Sequence, residues 1–267
     1  MYEVPIPSTG VVYKVRGMTL QEELEIRSWV SLLAGTAYDL YSRITTLLWK
    51  TVVEPKFATL DEFADSIQEG DVASLMFALY YESFGEEMRI EYTCGNETRT
   101  ATVKLDAVES EGSVCEQPIE NEGTFEWAGA TYHYHPTPTW RDALSALAAA
   151  PVTIESLMNP QQLMKLPEED AELMMAANKL NPIYKKVVAG RSVERPPVTQ
   201  PTLQRNWYRQ LLRELGGIDR REFDKLLVQR PPQHVVKLYV NIPCKVCNST
   251  HRIELEPTYF LRCFLGV

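Results

Sequence analysis

The chain has 267 residues, 45% apolar and 24% charged, the composition of a globular protein rather than a disordered, fibrous or disulfide-stapled one. Its 36 acidic residues outnumber 27 basic ones, giving a formal charge of −9 that works against broad attraction to polyphosphate and makes nucleic acid a poor default partner. Five cysteines in a chain this long do not suggest a disulfide framework, so close pairs among them are weighed first as metal ligands.

The N-terminal MYEVPIPSTG lacks the positive flank and apolar stretch of a secretory signal, and no later apolar run approaches the roughly 20 residues a spanning helix needs. A cytosolic protein without a membrane partner is expected. Residues 2 to 16 predict two short extended pieces around Pro7-Ser8-Thr9-Gly10. Thr19-Leu20-Gln21-Glu22 is a capping-box pattern, and Ile26, Trp29, Val30 and Leu33 continue it as a helix over about 20–33. Ala37, Leu40, Tyr41, Ile44, Leu47, Leu48 and Val52 form an apolar stripe for a second helix. A short helix follows from Thr59, and a longer one from Asp71, where Val72, Leu75, Met76 and Leu79 align and Gly85 offers a stop.

The period then changes to two. Met88–Cys94 and Thr98–Leu105 alternate around Gly95-Asn96, a hairpin pattern. Residues 106–123 are acidic without a periodic apolar face and predict a loop, and Phe125–His135 predicts a second hairpin around Ala128-Gly129. Trp140, Ala143, Leu144 and Leu147 predict a helix over 139–149, and Pro167-Glu168-Glu169-Asp170 starts another with acids at its positive end. The proline-containing stretch 189–202 predicts a semi-rigid spacer. Leu203, Trp207, Leu211 and Leu215, then Phe223, Leu226 and Leu227, predict two helices. A third hairpin runs from Val235 to Ile242 and back through Ile253 and Leu255, tipped by Cys244 and Cys247. The aromatic tail at Tyr259, Phe260 and Phe264 is either a docking segment or a last helix on the chain's own core.

The expected fold is α+β: a helical N-terminal module with β-hairpins (1–108), a mainly helical insertion ending in the spacer (109–200), and two helices with a zinc-ribbon-like hairpin that packs back on the first module (201–267).

Several stretches in this order resemble the baseplate hub and hub-assembly proteins of contractile-tailed bacteriophages. They are Val4-Pro5-Ile6-Pro7-Ser8-Thr9-Gly10 with Val12-Tyr13, Met18-Thr19-Leu20-Gln21-Glu22-Glu23, Glu69-Gly70-Asp71, Tyr81-Glu82-Ser83-Phe84-Gly85 and Tyr92-Thr93-Cys94. The resemblance covers about the first 108 residues, with a weaker echo at the C-terminal hairpin. At one point the chain departs from it: relatives carry a C-x-x-C pair there, whereas Cys94 is followed three residues on by Glu97. The resemblance implies a non-enzymatic structural part of a tail baseplate, found in the virion and, during assembly, in the host cytoplasm. Its partners would be other baseplate and hub proteins or copies of itself. The alternatives are a hub assembly chaperone absent from the finished particle, and a zinc-ribbon regulatory or nucleic-acid-binding protein.

The sharpest chemical signal is Cys244-x-x-Cys247 at a hairpin tip, because two thiolates at that spacing can hold one edge of a structural zinc. Cys94, at the tip of another hairpin, is a third candidate ligand, with the fourth open among Cys115, His251 and Glu97. His133-Tyr134-His135 puts two imidazoles on one strand face; without patterned acidic or cysteine partners, an exposed polar face is expected. Arg205, Arg209 and Arg213, followed by Arg220-Arg221, are expected to be a solvated face or a patch for an acidic protein. Glu168-Glu169-Asp170 is accounted for by the helix dipole, and no phosphate loop, nucleophile elbow, H-E-x-x-H or Rossmann fingerprint is present, so no catalytic residue is assigned.

Overall fold

Helices and antiparallel sheets alternate along the chain in a computed structural model that describes residues 1–29, 35–115, 121–149, 152–153, 167–218, 223, 225 and 236–265. The architecture is mixed α+β. Val30, Leu33, Arg220, Arg221, Leu226, Leu227 and Val235 lie outside the described residues, and with them the end of the first predicted helix and most of the helix at Phe223.

β1 (Tyr2–Pro5) and β2 (Val12–Val15) pair antiparallel, and β3 (Val52–Glu54) adds to the free side of β2. The turn between them folds onto itself, with Gly10 N–H donating to Ile6 O at 2.7 Å. α1 (Leu20–Arg27) begins at the Thr19 capping box, whose Glu22 carboxylate also receives both terminal nitrogens of Arg16 at 2.8 Å. That pairing with Arg16, together with the Thr19 bonds, lowers the Glu22 pKa to about 2. α2 (Ala37–Thr51) buries Leu40, Ile44, Leu47 and Leu48, each worth about 1.5–3 kcal/mol of apolar burial. α3 (Leu60–Asp65) is capped by Thr59.

α4 (Glu69–Phe84) starts two residues ahead of Asp71, for a local reason. Asp71 serves as the third helical residue, and its carboxylate accepts the Gln68 N–H at 2.7 Å. The same carboxylate accepts Ser8 N–H at 2.9 Å and the Ser8 hydroxyl, tying the N-terminal turn to the helix. Burial pushes the Asp71 pKa up, and these bonds offset part of the rise. β4 (Glu87–Cys94) and β5 (Glu97–Lys104) form the predicted hairpin, turning at Gly95 with φ +63°.

Residues 106–123 are not only loop. A 3₁₀ turn spans Leu105–Ala107, and β6 (Glu109–Gly112) pairs with β11 (Val236–Pro243), which also pairs with β12 (Thr250–Glu254). All four β6 residues are exposed, so the strand has no alternation to read and exists because β11 offers it a ladder.

The middle region departs further from the expected helical insertion. β7 (Gly123–Trp127), β8 (Ala130–Tyr134), β9 (Ile183–Val188) and β10 (Arg191–Glu194) form one sheet in the order β10-β9-β8-β7. Both tight turns are Ala-Gly with positive φ, Ala128-Gly129 and Ala189-Gly190, as type I′ hairpins require. The predicted spacer is therefore partly strand. It is also anchored: Val198 is fully buried, its N–H reaches Asp61 at 3.1 Å and its carbonyl accepts the Tyr38 hydroxyl. α5 (Trp140–Ala149), α6 (Glu168–Leu180) and α7 (Pro201–Leu215) pack on one another and on this sheet.

Two hydrophobic cores result among the described residues. The first joins β1–β2, α2–α4 and β4 to Leu238, Val240 and Ile242 of β11 and to α8 (Pro257–Leu265). Phe260 sits 6.2 Å from the Phe77 ring and Phe264 5.7 Å from Tyr80, so the aromatic tail is a helix packed on the chain's own core. The second core gathers Phe125, Tyr132, Tyr134, Leu173, Leu180, Trp207, Tyr208 and Leu211. α5 belongs to both: Trp140 and Leu144 face the first, with Trp140 Nε1 donating to Thr45 at 2.7 Å, while Ala146 and Ala149 face the second.

The N-terminal turn allows a direct test. Gly10 has φ +72°, and an added Cβ would lie 2.2 Å from the backbone oxygen of Cys115. Gly10→Ala is expected to cost at least about 2 kcal/mol, combining left-handed strain with that clash. Gly129→Ala, at φ +77° with open space around the new methyl, is expected to show the strain alone, about 1 kcal/mol. Equal denaturation midpoints for the two variants would refute the contact.

Candidate metal centre

The two cysteine-tipped hairpins meet. β11 delivers Cys244 just past its last residue, the Cys244 N–H to Ser249 O bond at 2.9 Å closes the loop, and Asn248 takes the left-handed turn at φ +55°. β12 then places His251 opposite Ile242. From the other side β4 ends at Cys94, where the Gly95 turn begins.

Cys94 Sγ and Cys244 Sγ are 3.6 Å apart, and Cys247 Sγ is 3.4 Å from His251 Nε2. The ligand atoms of all four residues lie within 4.8 Å of one another. A tetrahedral zinc with bonds of about 2.3 Å to sulfur and 2.0 Å to nitrogen has ligand–ligand edges near 3.5–3.8 Å, so both measured pairs sit at about the separation of a coordination edge. The four side chains can hold a metal ion.

The electrostatics favour it. Backbone N–H groups of Cys247 and Val246, then the Tyr92 hydroxyl, donate to Cys244 and lower its thiol pKa to about 5, which keeps it a thiolate near neutrality. Bonding to Ser249 and His251 lowers the Cys247 thiol, and Cys247 in turn raises the His251 imidazole. Cys94, whose proton is shared with Cys247 and Cys244, is pushed up to about 11. Metal binding would therefore displace the proton held on Cys94. The Tyr92 ring lies 5.1 Å from His251 and limits its orientation.

Of the three candidates for the fourth ligand, His251 is the one in the cluster. Cys115 is buried beside the N-terminal turn, its N–H donating to Pro7 O at 2.8 Å, and Glu97 pairs with Arg99 on the hairpin surface. The Cys244-x-x-Cys247-x₃-His251 spacing was the available signal, but it cannot by itself show which way His251 turns on its strand.

The other predicted features resolve as follows. Arg205 pairs with Asp170 and Arg209 with Glu169, so two of the stripe's arginines bind the acids at the start of α6. His135 corrects the expectation of an exposed strand face: its side chain is 13% exposed, stacks on Tyr184 at 4.4 Å, and its Nδ1 bonds Asp142 at 2.9 Å. Asp142 is fully buried and also accepts from the buried Arg195 and from Thr139 N–H at 2.7 Å. Arg195 donates to Asn181 O at 3.0 Å, and beside it Arg141 pairs with Asp65 at 2.7 Å and Asp61 at 3.2 Å. This ionic bolt lies where the two cores adjoin. Nothing in the sequence marks it, because Asp142 and Arg195 are 53 residues apart. Beside it opens a polar cleft of about 730 Å³ lined by His133, His135, Tyr184, Lys185, Glu122 and Glu194, among others. No helix among the described residues is long and apolar enough to cross a membrane. Comparison with protein-family models, curated proteins and solved structures finds no match to this chain.

Proposed function

We propose that this chain is a non-enzymatic structural component of the baseplate hub region of a contractile-tailed bacteriophage, stabilised by a zinc ion at Cys94, Cys244, Cys247 and His251. One observation supports the structural reading above others: several residues that carry the resemblance to hub proteins touch one another or complete the metal cluster. Ser8 binds Asp71, Thr19 and Glu22 close the capping box, Met18 N–H donates to Ser83 at 2.9 Å, and Cys94 joins Cys244. Residues spent on turns, caps and metal ligation build a rigid body for protein contacts. Zinc is favoured because three cysteine sulfurs and one imidazole suit it better than they suit the hard cations calcium and magnesium.

The test is quantitative mass spectrometry of purified particles from the source that carries this gene. A fixed copy number relative to other tail proteins is the expected result. Absence from particles rich in tail proteins would make the chain an assembly chaperone instead, and a source that makes no such particles would overturn the phage reading.

A further inference from the structure

The polar cleft beside the ionic bolt has no role in the reading above. β8 alternates across its sheet: Tyr132 and Tyr134 are buried in the second core, and the opposite face presents His133 to the cleft, with His135 just beyond the strand on the same side. The pairing of β8 with β9 slips between His133 and Tyr134, leaving Tyr184 as the extra residue of a bulge. Bulges re-aim side chains, and this one puts a single phenol ring against both imidazoles, 4.4 Å from His135 and 6.2 Å from His133.

His135 is held as metal-ligating histidines are held. Its Nδ1 is taken by Asp142, at 2.9 and 3.2 Å to the two carboxylate oxygens, and Asp142 cannot follow a moving ring because Arg195 and the start of α5 also bind it. A carboxylate on one ring nitrogen fixes the tautomer and leaves the Nε2 lone pair available. Among the described residues neither Nε2 of His135 nor either nitrogen of His133 has a hydrogen-bond partner. Lys185 stands opposite His133 in the ladder and Glu194 opposite Lys185 on β10, and Lys185 lines the cleft together with Arg141 and Arg195, whose charges are paired with Asp61, Asp65 and Asp142. Glu122, which interacts with the Tyr184 hydroxyl, and Glu194 line the same cleft.

We propose that the cleft is a second, open metal site in which His133 and Nε2 of His135 chelate a borderline divalent transition cation such as nickel, cobalt or zinc. Imidazole donors select these ions over magnesium and calcium, and the open side of the cleft leaves the remaining positions to water or a small ligand. The thiolate cluster is a closed four-ligand site; this one is not.

The test uses the untagged full-length chain, first loaded with zinc at the cysteine cluster and then titrated calorimetrically with Ni²⁺ alone while zinc release is followed. One further equivalent of Ni²⁺, bound without loss of zinc, is expected. His133→Asn removes a side chain that makes no hydrogen bond to the described residues, so the fold should persist by circular dichroism while Ni²⁺ binding weakens roughly tenfold or more. Cobalt gives an independent readout: ligation through Nε2 of His135 should produce a paramagnetically shifted exchangeable proton from its Nδ1–H. Absence of a further equivalent, uptake only by displacing zinc, or undiminished binding in a folded His133→Asn variant would overturn the proposal. None of these results touches the particle-composition test of the structural role.

Discussion

Stripping the metal from the cysteine cluster is expected to lower the thermal midpoint of the chain by roughly 8–16 °C. An ion that binds only the folded state stabilises it by about 4 kcal/mol when free metal is a thousandfold above its dissociation constant, and each kcal/mol shifts the midpoint of a domain this size by about 2–4 °C. The ligands explain why the effect is global. Cys94 and Cys244 are 150 residues apart, so a bound ion would cross-link the β4–β5 hairpin to the C-terminal sheet that contributes Leu238, Val240 and Ile242 to the first core. Cys244→Ser should abolish stoichiometric zinc, measured by elemental mass spectrometry, and should reproduce the midpoint of the chelated parent. Cys115→Ser, outside the cluster, should retain the metal. A parent purified with zinc in the medium yet free of metal, melting with Cys244→Ser, would sink the clasp.

Arg195→Met is expected to cost about 3–5 kcal/mol, because it strands a buried carboxylate whose charge the arginine neutralises. Asp142 is fully buried, and Arg195 bonds it directly from a side chain that is only 1% exposed. Burial alone would raise the Asp142 pKa; the Arg195 charge and the His135 hydrogen bond outweigh it and hold the group below its ordinary 3.8. A carboxylate depressed in the folded state contributes stability that is complete above the unfolded value and is lost as pH falls through the folded one. Glu22 behaves alike, losing its contribution between about 4.5 and about 2. The parent should therefore destabilise below about pH 4, measured by urea midpoints. The double variant Asp142→Leu/Arg195→Met, which removes both charges, should recover much of the single variant's loss. A single variant as stable as the parent at pH 7 would show that the bolt does not carry the junction.

The helices of the first core were legible because their signals are local. Thr19, Thr59 and Gly85 mark ends through bonds and dihedrals reached within a few residues, and α2 shows its apolar stripe along one segment. The same holds for the Gly95 and Ala128-Gly129 hairpins, whose turn residues carry the required φ. β6 and β10, by contrast, are exposed at every position, and β9 carries Lys185 and Lys186 in mid-strand; these segments are strands because a neighbouring ladder is present. Ala189-Gly190 repeats the turn chemistry of Ala128-Gly129, a local cue hidden by the prolines that follow.

The sites divide in the same way. By itself the sequence determined the α+β class, the caps and turns of the first core, and Cys244, Cys247 and Cys94 as candidate ligands that the fold brings together. Only the tertiary structure decided that His251 completes the cluster, that Asp142 meets Arg195, and that His133 and His135 face a cleft rather than open solvent. Capping and turn formation involve groups a few bonds apart, whereas ligation and charge pairing bring together groups tens to hundreds of residues distant, whose meeting is set by how the two cores pack.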